Sequence, residues 1–154
     1  HYGLPITVFR IEVLFDDEES QMFGKNAVEK VLKGETIEVM EGDGQASIHV
    51  DEIVQAFLLA TLNKDAYGQV FNLSNPDTFI SDRELYQFLI ELTSSESKIK
   101  MVTNLMLMNP MVESTEKIQN VLGWKTQKNK EDLKKAIAKT VRSILAHLRD
   151  ETHY

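Results

Sequence analysis

The stretch Lys33–Gly44 (KGETIEVMEGDG), followed after three residues by Ile48–Ala56 (IHVDEIVQA), carries most of the information about the fold. Gly34 can adopt the left-handed conformation that ends a helix. Ile37 and Val39 alternate with other residues, which is typical of a short strand with one buried face. A Gly-Asp-Gly turn and a second helix, opening on His-Val-Asp-Glu, complete the segment. This alternation predicts an α/β fold.

The composition limits the classes of function. The chain has 154 residues, of which 42% are hydrophobic, so one domain with a real core is expected. Its net charge is −7, and we therefore expect no nucleic-acid partner. It contains no cysteine and no apolar run long enough to cross a bilayer. We expect a cytoplasmic protein that does not bind membranes.

Two strands are predicted on either side of the opening stretch. Leu4–Leu14 (LPITVFRIEVL) is almost continuously apolar, which is typical of a strand buried on both faces of a parallel sheet. Gln69–Leu73 (QVFNL) is a second core strand. Lys98–Val102 is a candidate third.

Helices are predicted between these strands. They are Gln21–Lys33 with Ser20 as N-cap, Val50–Asn63, a helix opening on Ser81 and Glu84 as a capping box, Ser114–Leu122, and a last helix from about residue 129. The second has apolar residues at helical spacing: Val50, Ile53, Val54, Phe57, Leu58 and Leu62. Trp124, after the stop at Gly123, is expected to be a packing anchor.

Five motifs occur in a fixed order along the chain. They are Tyr2-Gly3-Leu4-Pro5 leading into a strand that reaches Arg10, Gly42-Asp43-Gly44 before His49-Val50-Asp51-Glu52, Gly68-Gln69-Val70-Phe71-Asn72-Leu73, Ser81 to Leu85, and Lys117 to Lys125 with Leu122-Gly123-Trp124. This ordered set resembles the carboxy-terminal half of the extended short-chain dehydrogenase/reductases, the NAD-dependent epimerases and dehydratases.

The resemblance implies a fold and a function. The expected fold is α/β, with the last strands of a partial Rossmann-type sheet and the small α/β lobe that binds substrate. Residues 1–154 would form this single domain. The family's NAD-binding half, with its glycine-rich turn and its catalytic Tyr-x-x-x-Lys pair, is absent from this chain. The parent would use NAD or NADP, whereas this chain alone is expected to bind no cofactor and to be inactive.

Three departures from the family pattern concern the substrate. Glu12 stands where many members that bind nucleotide sugars have Asn, and Gln45 where many have an Arg that clamps the diphosphate. Phe15–Glu18 replaces the usual Tyr-Gly-Pro loop. Because a carboxylate and an amide replace an amide and a guanidinium, the case for a diphosphate ligand is weaker.

The candidate site residues follow from position. Ligands of open α/β folds gather at the carboxyl ends of strands. Ile11, Glu12 and Val13 are therefore candidates for cofactor contact in the parent, and Glu12 and Gln45 for contact with a small-molecule substrate. The alternative for Glu12 is a carboxylate that reaches solvent or an arginine.

Three other features have a functional and a structural interpretation. His49 is either catalytic or packed at the start of a helix, with Asp51 near the N-cap. The acidic run Asp16–Glu19 either binds a hard cation or forms a solvated loop. The methionine-rich segment Asn104–Met111 is a substrate lid, a partner surface or uncovered core.

Three hypotheses of function remain at this stage. The leading one is the substrate-binding half of an NAD(P)-dependent epimerase, dehydratase or reductase of a sugar nucleotide or similar substrate, in a chain cut from a longer one. The alternative is a non-catalytic binding or regulatory relative, motivated by Glu12 and Gln45. The third is a split enzyme completed by another chain. An unpaired strand edge would pair with the missing N-terminal half or cause self-association.

Overall fold

The computed structural model describes residues 4–103 and 112–151, in which strands and helices alternate. The strands are β1 (Val8–Ile11), β2 (Val13–Phe15), β3 (Ile37–Met40), β4 (Gly44–His49), β5 (Val70–Leu73), β6 (Asn75–Ser81) and β7 (Ile99–Val102). The helices are α1 (Lys25–Leu32), α2 (Val50–Ala60), α3 (Asp82–Thr93), α4 (Glu116–Leu122) and α5 (Lys130–Glu151). The predicted α/β class is confirmed.

Three small sheets organise these elements. The first pairs β1 with β5 in parallel, and the third pairs β3 with β7 in parallel. The central sheet has the order β2-β4-β6, in which β2 runs parallel and β6 antiparallel to β4. Sequence reasoning missed β4 and β6. Both strands contain buried polar residues, among them Ser47, Asn75 and Thr78, so neither reads as an apolar run.

The predicted strand Leu4–Leu14 is wrong in two respects. It breaks at Glu12, where the chain leaves the first sheet and enters the central one. It is also not buried on both faces, since Val8 is 47% and Ile11 is 41% exposed. The physical reason is that β1 has one strand neighbour, β5, among the described residues, which leaves its other edge and part of its surface uncovered.

Two hydrophobic clusters form the core of the part of the chain that the structure describes. One lies between α1, α3, α5 and the strands Ile37–Met40 and Asn75–Ser81. The other lies between α2, α4, β5 and Trp124, which is fully buried as predicted. Helix α5 contributes Leu133, Ile137 and Val141 to the first cluster, and all three are buried.

One helix start and one capping pattern differ from the predictions. Helix α1 begins at Lys25 after Gly24, not after Ser20, because the Ser20 amide is bonded to Thr140 Oγ1 on α5. Helix α3 begins after Ser81 as predicted, and the Ser81 hydroxyl accepts the Glu84 N–H at 3.1 Å. The Glu84 carboxylate does not complete a capping box, because it is held by two lysines of α5.

Helix α2 reverses the expected pattern of burial. Ile53 is buried as its spacing suggests, together with Ala56, Ala60 and the charged Glu52. The other apolar residues of the predicted face are exposed by 39 to 88%: Val50, Val54, Phe57, Leu58 and Leu62. The helix therefore has a buried face with a carboxylate and an exposed face that is apolar.

Candidate functional site

A cavity of about 1060 Å³ lies where the chain crosses from the first sheet to the central one. The residues of this crossing, Ile11, Glu12 and Val13, form one wall. The opposite walls are the beginning of β4 from Gly44 to Ala46, the N-terminal part of α1, and the first turn of α3. The carboxyl end of β1, the first residues of β2 and β4, and the N-terminal turns of α1 and α3 thus line one space. The carboxyl end of a parallel strand is a usual position of ligands in α/β folds.

Gly44 allows the close approach that shapes this wall. A Cβ atom at this position would lie 2.7 Å from Ile80 O, from the Phe79 ring and from Ser81 Cα. Two of these three contacts are to backbone, so a side chain there would push β4 away from β6. The glycine therefore brings Gln45 and the start of α3 to the same side of the cavity.

Glu12 is fixed by hydrogen bonds at the edge of the cavity. Its Oε2 accepts the Ser74 hydroxyl at 2.7 Å, and its Oε1 accepts the Glu113 N–H at 3.2 Å. Burial raises the pKa of Glu12 above its usual range, more than the two hydrogen bonds lower it. Within the described residues, the carboxylate is partly buried and accepts hydrogen bonds from Ser74 and Glu113, neither of which is an arginine. It joins the end of β5 to the segment that precedes α4.

Two further carboxylates of the lining, those of Asp43 and Asp82, lie near the first turn of α3. Asp82 is half-buried, and its backbone N–H donates to the carbonyl of Asp43 at 3.1 Å. Burial, and then the neighbouring charge of Asp43, raise the pKa of Asp82. Burial and the charge of Asp82 in turn raise the pKa of Tyr86, which also lines the cavity.

All four residues selected from the sequence, Ile11, Glu12, Val13 and Gln45, lie on this cavity. Their roles in binding cofactor or substrate stay predictions. Sequence reasoning missed the further polar residues of the lining, which are Asn26, Lys30, Asp43, Asp82, Tyr86 and Glu113. The Gly-Asp-Gly turn and the Ser81 cap were recognised as local signals. Their placement on a shared cavity depends on the pairing of β4 with β6, which was not foreseen.

His49 is packed at the start of α2 and does not line the cavity. It is the N-cap: its Nδ1 accepts the Asp51 N–H, and its own N–H donates to Glu52 Oε2. Its ring meets Phe15 edge to face at 5.0 Å. These contacts support the structural interpretation. Two carboxylates also lie beside the ring, with Asp17 Oδ1 3.4 Å from Nε2 and Asp51 Oδ2 3.5 Å from Nδ1.

Glu52 is the centre of a buried polar network. Its side chain is 1% exposed and accepts hydrogen bonds from His49 N, Asn75 Nδ2, Gln127 N and Lys128 N. The backbone carbonyl of Glu52 also accepts the Trp124 indole N–H at 2.8 Å. The network fastens the loop before α5 to α2 and β6.

The acidic run Asp16–Glu19 is a turn bound by lysines. Asp16 Oδ1 accepts two backbone N–H groups, which lowers the pKa of this carboxyl. Asp17 lies 3.4 Å from Lys128 Nζ, and Glu18 lies 2.7 Å from Lys139 Nζ. Within residues 4–103 and 112–151, no group of acidic and histidine side chains has the arrangement of a metal site. The methionine-rich segment Asn104–Met111 lies outside the described residues.

A second, mostly apolar groove of about 460 Å³ lies between β1 and α2. Phe9 and Phe57 meet there with ring centroids 4.9 Å apart. Together with the exposed face of α2, this groove forms an apolar surface next to the free edge of β1. None of the helices in the described ranges is long and apolar enough to span a membrane.

Comparison with solved structures identifies proteins that share this fold. No family model matches the chain, and no curated protein does. Solved structures do match. The PbgP3 protein from Burkholderia pseudomallei is 24% identical with a TM-score of 0.64, and the match covers 96% of this chain and 49% of that protein. UDP-glucose 4-epimerase from Thermotoga maritima, with UDP-glucose, is 24% identical with a TM-score of 0.65, covering 94% and 48%.

A third match has lower identity and a similar structure. UDP-glucuronic acid 4-epimerase from Bacillus cereus, in complex with NAD, is 12% identical with a TM-score of 0.67, covering 93% of this chain and 46% of the enzyme. The chain has the fold of about half of a sugar-nucleotide epimerase. This epimerase-type half confirms the predicted α/β fold, and it is consistent with the resemblance to the carboxy-terminal half of extended short-chain dehydrogenases.

Proposed function

We propose that this chain is the substrate-binding domain of an NAD(P)-dependent oxidoreductase of the epimerase/dehydratase type, whose cofactor is bound mainly by another portion of the protein. The observation that carries this proposal is the cavity of about 1060 Å³ at the carboxyl end of β1, in a fold shared with about half of each matched epimerase. NAD is bound in one of these structures and UDP-glucose is present in another.

Roles for the lining residues follow from their positions. Glu12 and Gln45 would contact the substrate, and the backbone from Ile11 to Val13 would face the nicotinamide side. The chemistry supplied by the cofactor would be a transient oxidation of a substrate hydroxyl. The residues of this chain would bind and orient the substrate through hydrogen bonds, while hydride acceptance and the catalytic acid/base would belong to the other portion.

The apolar surface around β1 and α2 supports the proposal that a further portion of the protein packs against this lobe. Val8 and Val70 are paired in register and both exposed, and Leu58 of α2 is 70% exposed. An apolar surface next to a free strand edge is typical of a surface covered by further protein. We propose that the nucleotide-binding portion covers it, by adding strands to the edge of β1. Without that portion, the same surface would cause self-association.

An assay of the whole natural protein tests this function. Conversion of a panel of sugars and sugar nucleotides would be followed by chromatography or NMR of the products, with NAD or NADP present, for the wild type and for the variant Gln45→Ala. We expect turnover with at least one substrate and a higher KM in the variant. Gln87→Ala, at an exposed position of α3 outside the cavity, is the matched control and should leave KM unchanged.

A second candidate is a non-catalytic binding protein of the same fold. The specific observation in its favour is the absence of the expected guanidinium, since Gln45 lines the cavity at that position. It predicts ligand binding without any conversion of the ligand to product, in the presence of either NAD or NADP. Turnover in the assay would eliminate this candidate, and binding without turnover would favour it over the enzyme.

A further inference from the structure

We propose that the cavity beside Glu12 accepts a hydroxyl-rich ligand carrying a protonated amine, such as an amino sugar, and rejects ligands carrying a diphosphate. This inference rests on the proposed substrate-binding function and specifies its ligand class. The cavity itself is the site; the charged side chains of its lining determine which ligands it can accept.

The lining is strongly asymmetric in charge. Four carboxylates lie on the described walls, those of Glu12, Asp43, Asp82 and Glu113, against one ammonium group, that of Lys30. Lys30 is exposed on α1, so its charge is well screened by solvent. The carboxylates come from four separate parts of the chain. The negative field is therefore a property of the cavity as a whole and does not arise from one acidic segment.

Asp43 and Asp82 have no cationic partner within residues 4–103 and 112–151. No lysine, arginine or histidine in the described ranges forms an ion pair with either carboxylate. Glu84, two residues further along α3, is in contrast held by Lys130 at 2.9 Å and by Lys134 at 3.2 Å. The fold thus neutralises the carboxylate that faces α5 and leaves the one on the cavity wall without a partner.

The helix N-terminus explains only part of this arrangement. An acidic residue in the first turn of α3 is favourable for the helix dipole, which accounts for Asp82 alone. It does not account for Asp43 beside it, whose charge helps to raise the pKa of Asp82. A ligand ammonium between the two carboxylates would relieve this repulsion, whereas a diphosphate would add to it.

The hydrogen-bonding groups of the wall favour the same ligand class. Each Glu12 oxygen accepts one hydrogen bond from the protein and has a lone pair left for a ligand hydroxyl or ammonium. Gln45 on this wall offers a neutral amide, which cannot hold a diphosphate in the two charge-assisted hydrogen bonds that a guanidinium makes. The volume of about 1060 Å³ is sufficient for a sugar.

Binding to this chain can be measured by NMR. The isotope-labelled protein would be titrated separately with glucosamine, glucose and UDP-glucose, and amide shifts would be followed at Val13, Ala46 and Tyr86. We expect glucosamine to shift these amides and to bind more tightly than glucose, and UDP-glucose to leave them unchanged. Asp82→Asn should weaken glucosamine binding about fivefold, as expected for loss of one ion pair.

Two further variants control the interpretation. Asp77→Asn makes the same charge change at an exposed position outside the cavity and should have no effect. Asp43→Asn repeats the test on the other carboxylate if Asp82→Asn does not fold. Gln45→Arg should introduce measurable binding of UDP-glucose.

The outcomes separate this inference from the proposed function. Tighter binding of UDP-glucose than of glucosamine at the lining amides would overturn the ligand class and leave the substrate-binding function intact. An equal loss of glucosamine binding in Asp77→Asn and Asp82→Asn would also overturn it, since net charge alone would then be responsible. No response of the lining amides to any of the three ligands would overturn both.

Discussion

The two faces of helix α2 differ in opposite ways from what their side chains would suggest. The inner face buries a carboxylate, Glu52, which is 1% exposed, and the outer face presents Leu58, which is 70% exposed. A helix that folds only against its own chain normally shows the opposite pattern. Glu52 is stable inside because four hydrogen bonds satisfy its charge. The outer face has no equivalent compensation within the described residues.

The two faces of α2 therefore have different roles, one in stability and one in association. The inner face holds the lobe together, since Glu52 and Trp124 connect α2 to the loop before α5. The outer face, with the free edge of β1 and the groove lined by Phe9 and Phe57, is a surface suited to another protein segment. Substitutions on the inner face should therefore change stability, and those on the outer face should change association.

The largest effect is expected for Glu52→Ala. Removing the carboxylate leaves four donors without this acceptor, two of them in buried hydrogen bonds, and should lower the free energy of unfolding by more than about 3 kcal/mol. Urea denaturation followed by circular dichroism measures the change. Glu35→Ala, at an exposed position, should change stability by less than about 0.5 kcal/mol. Equal effects of the two substitutions would refute the role of the inner face.

A smaller loss is expected for Trp124→Phe. The substitution removes the indole N–H that donates to the Glu52 carbonyl and leaves a void in the second hydrophobic cluster. Unfolding free energy should fall by about 2 kcal/mol. Tyr67→Phe, at a position that is 38% exposed, is the control and should have little effect. An unchanged midpoint in Trp124→Phe would show that the indole is not an anchor.

Substitutions on the outer face of α2 are expected to change self-association and to leave stability nearly unchanged. Val54→Lys combined with Leu58→Lys replaces exposed apolar side chains with residues that favour helices, so unfolding free energy should change by less than about 0.5 kcal/mol. Light scattering should show less self-association than in the wild type. Gln87→Lys with Asn120→Lys adds the same charge at exposed polar positions and should leave association unchanged. A large loss of stability in the first pair would mean that the outer face belongs to the core.

The smallest effect concerns the carboxylates of the cavity. Asp43→Asn removes a like charge, so the pKa of Asp82 should fall, measured by carbon NMR of the carboxyl group. Because the folded-state pKa of Asp82 is raised, its ionisation costs stability as pH rises from the unfolded-state pKa to the folded-state one. Asp82→Asn should remove this loss of stability between the two pKa values. An unchanged Asp82 pKa in Asp43→Asn would show that the two carboxylates do not interact.

Local signals in the sequence predicted the elements well. Gly34 and Gly123 adopt the expected positive φ values, and Ser81 caps α3 through its hydroxyl. Such features depend on a few neighbouring residues, whose preferences are strong. The alternation of Ile37 and Val39 likewise identified β3 because both are buried on one face.

Strand pairing and burial that depend on residues far apart in the chain could not be predicted from the sequence. The break at Glu12 depends on β2 pairing with β4, and β4 was not recognised because its inward positions include Ser47 and His49. Apolar spacing on α2 gave the wrong buried face, since a satisfied Glu52 looks like a surface residue in the sequence. Ile11, Glu12 and Val13 were found from their position near the end of a predicted strand, and Gln45 from the family resemblance. Asp43 and Asp82 required the fold.

The central claim is that this chain binds substrate for a nucleotide-binding portion that covers the outer face of α2 and the edge of β1. The most direct test is the intact mass and peptide sequence of the natural protein, read against its full reading frame. We predict a longer polypeptide with a glycine-rich turn and a Tyr-x-x-x-Lys pair ahead of the residues described here. A natural protein whose frame opens near His1 would contradict the claim for a single enzyme chain.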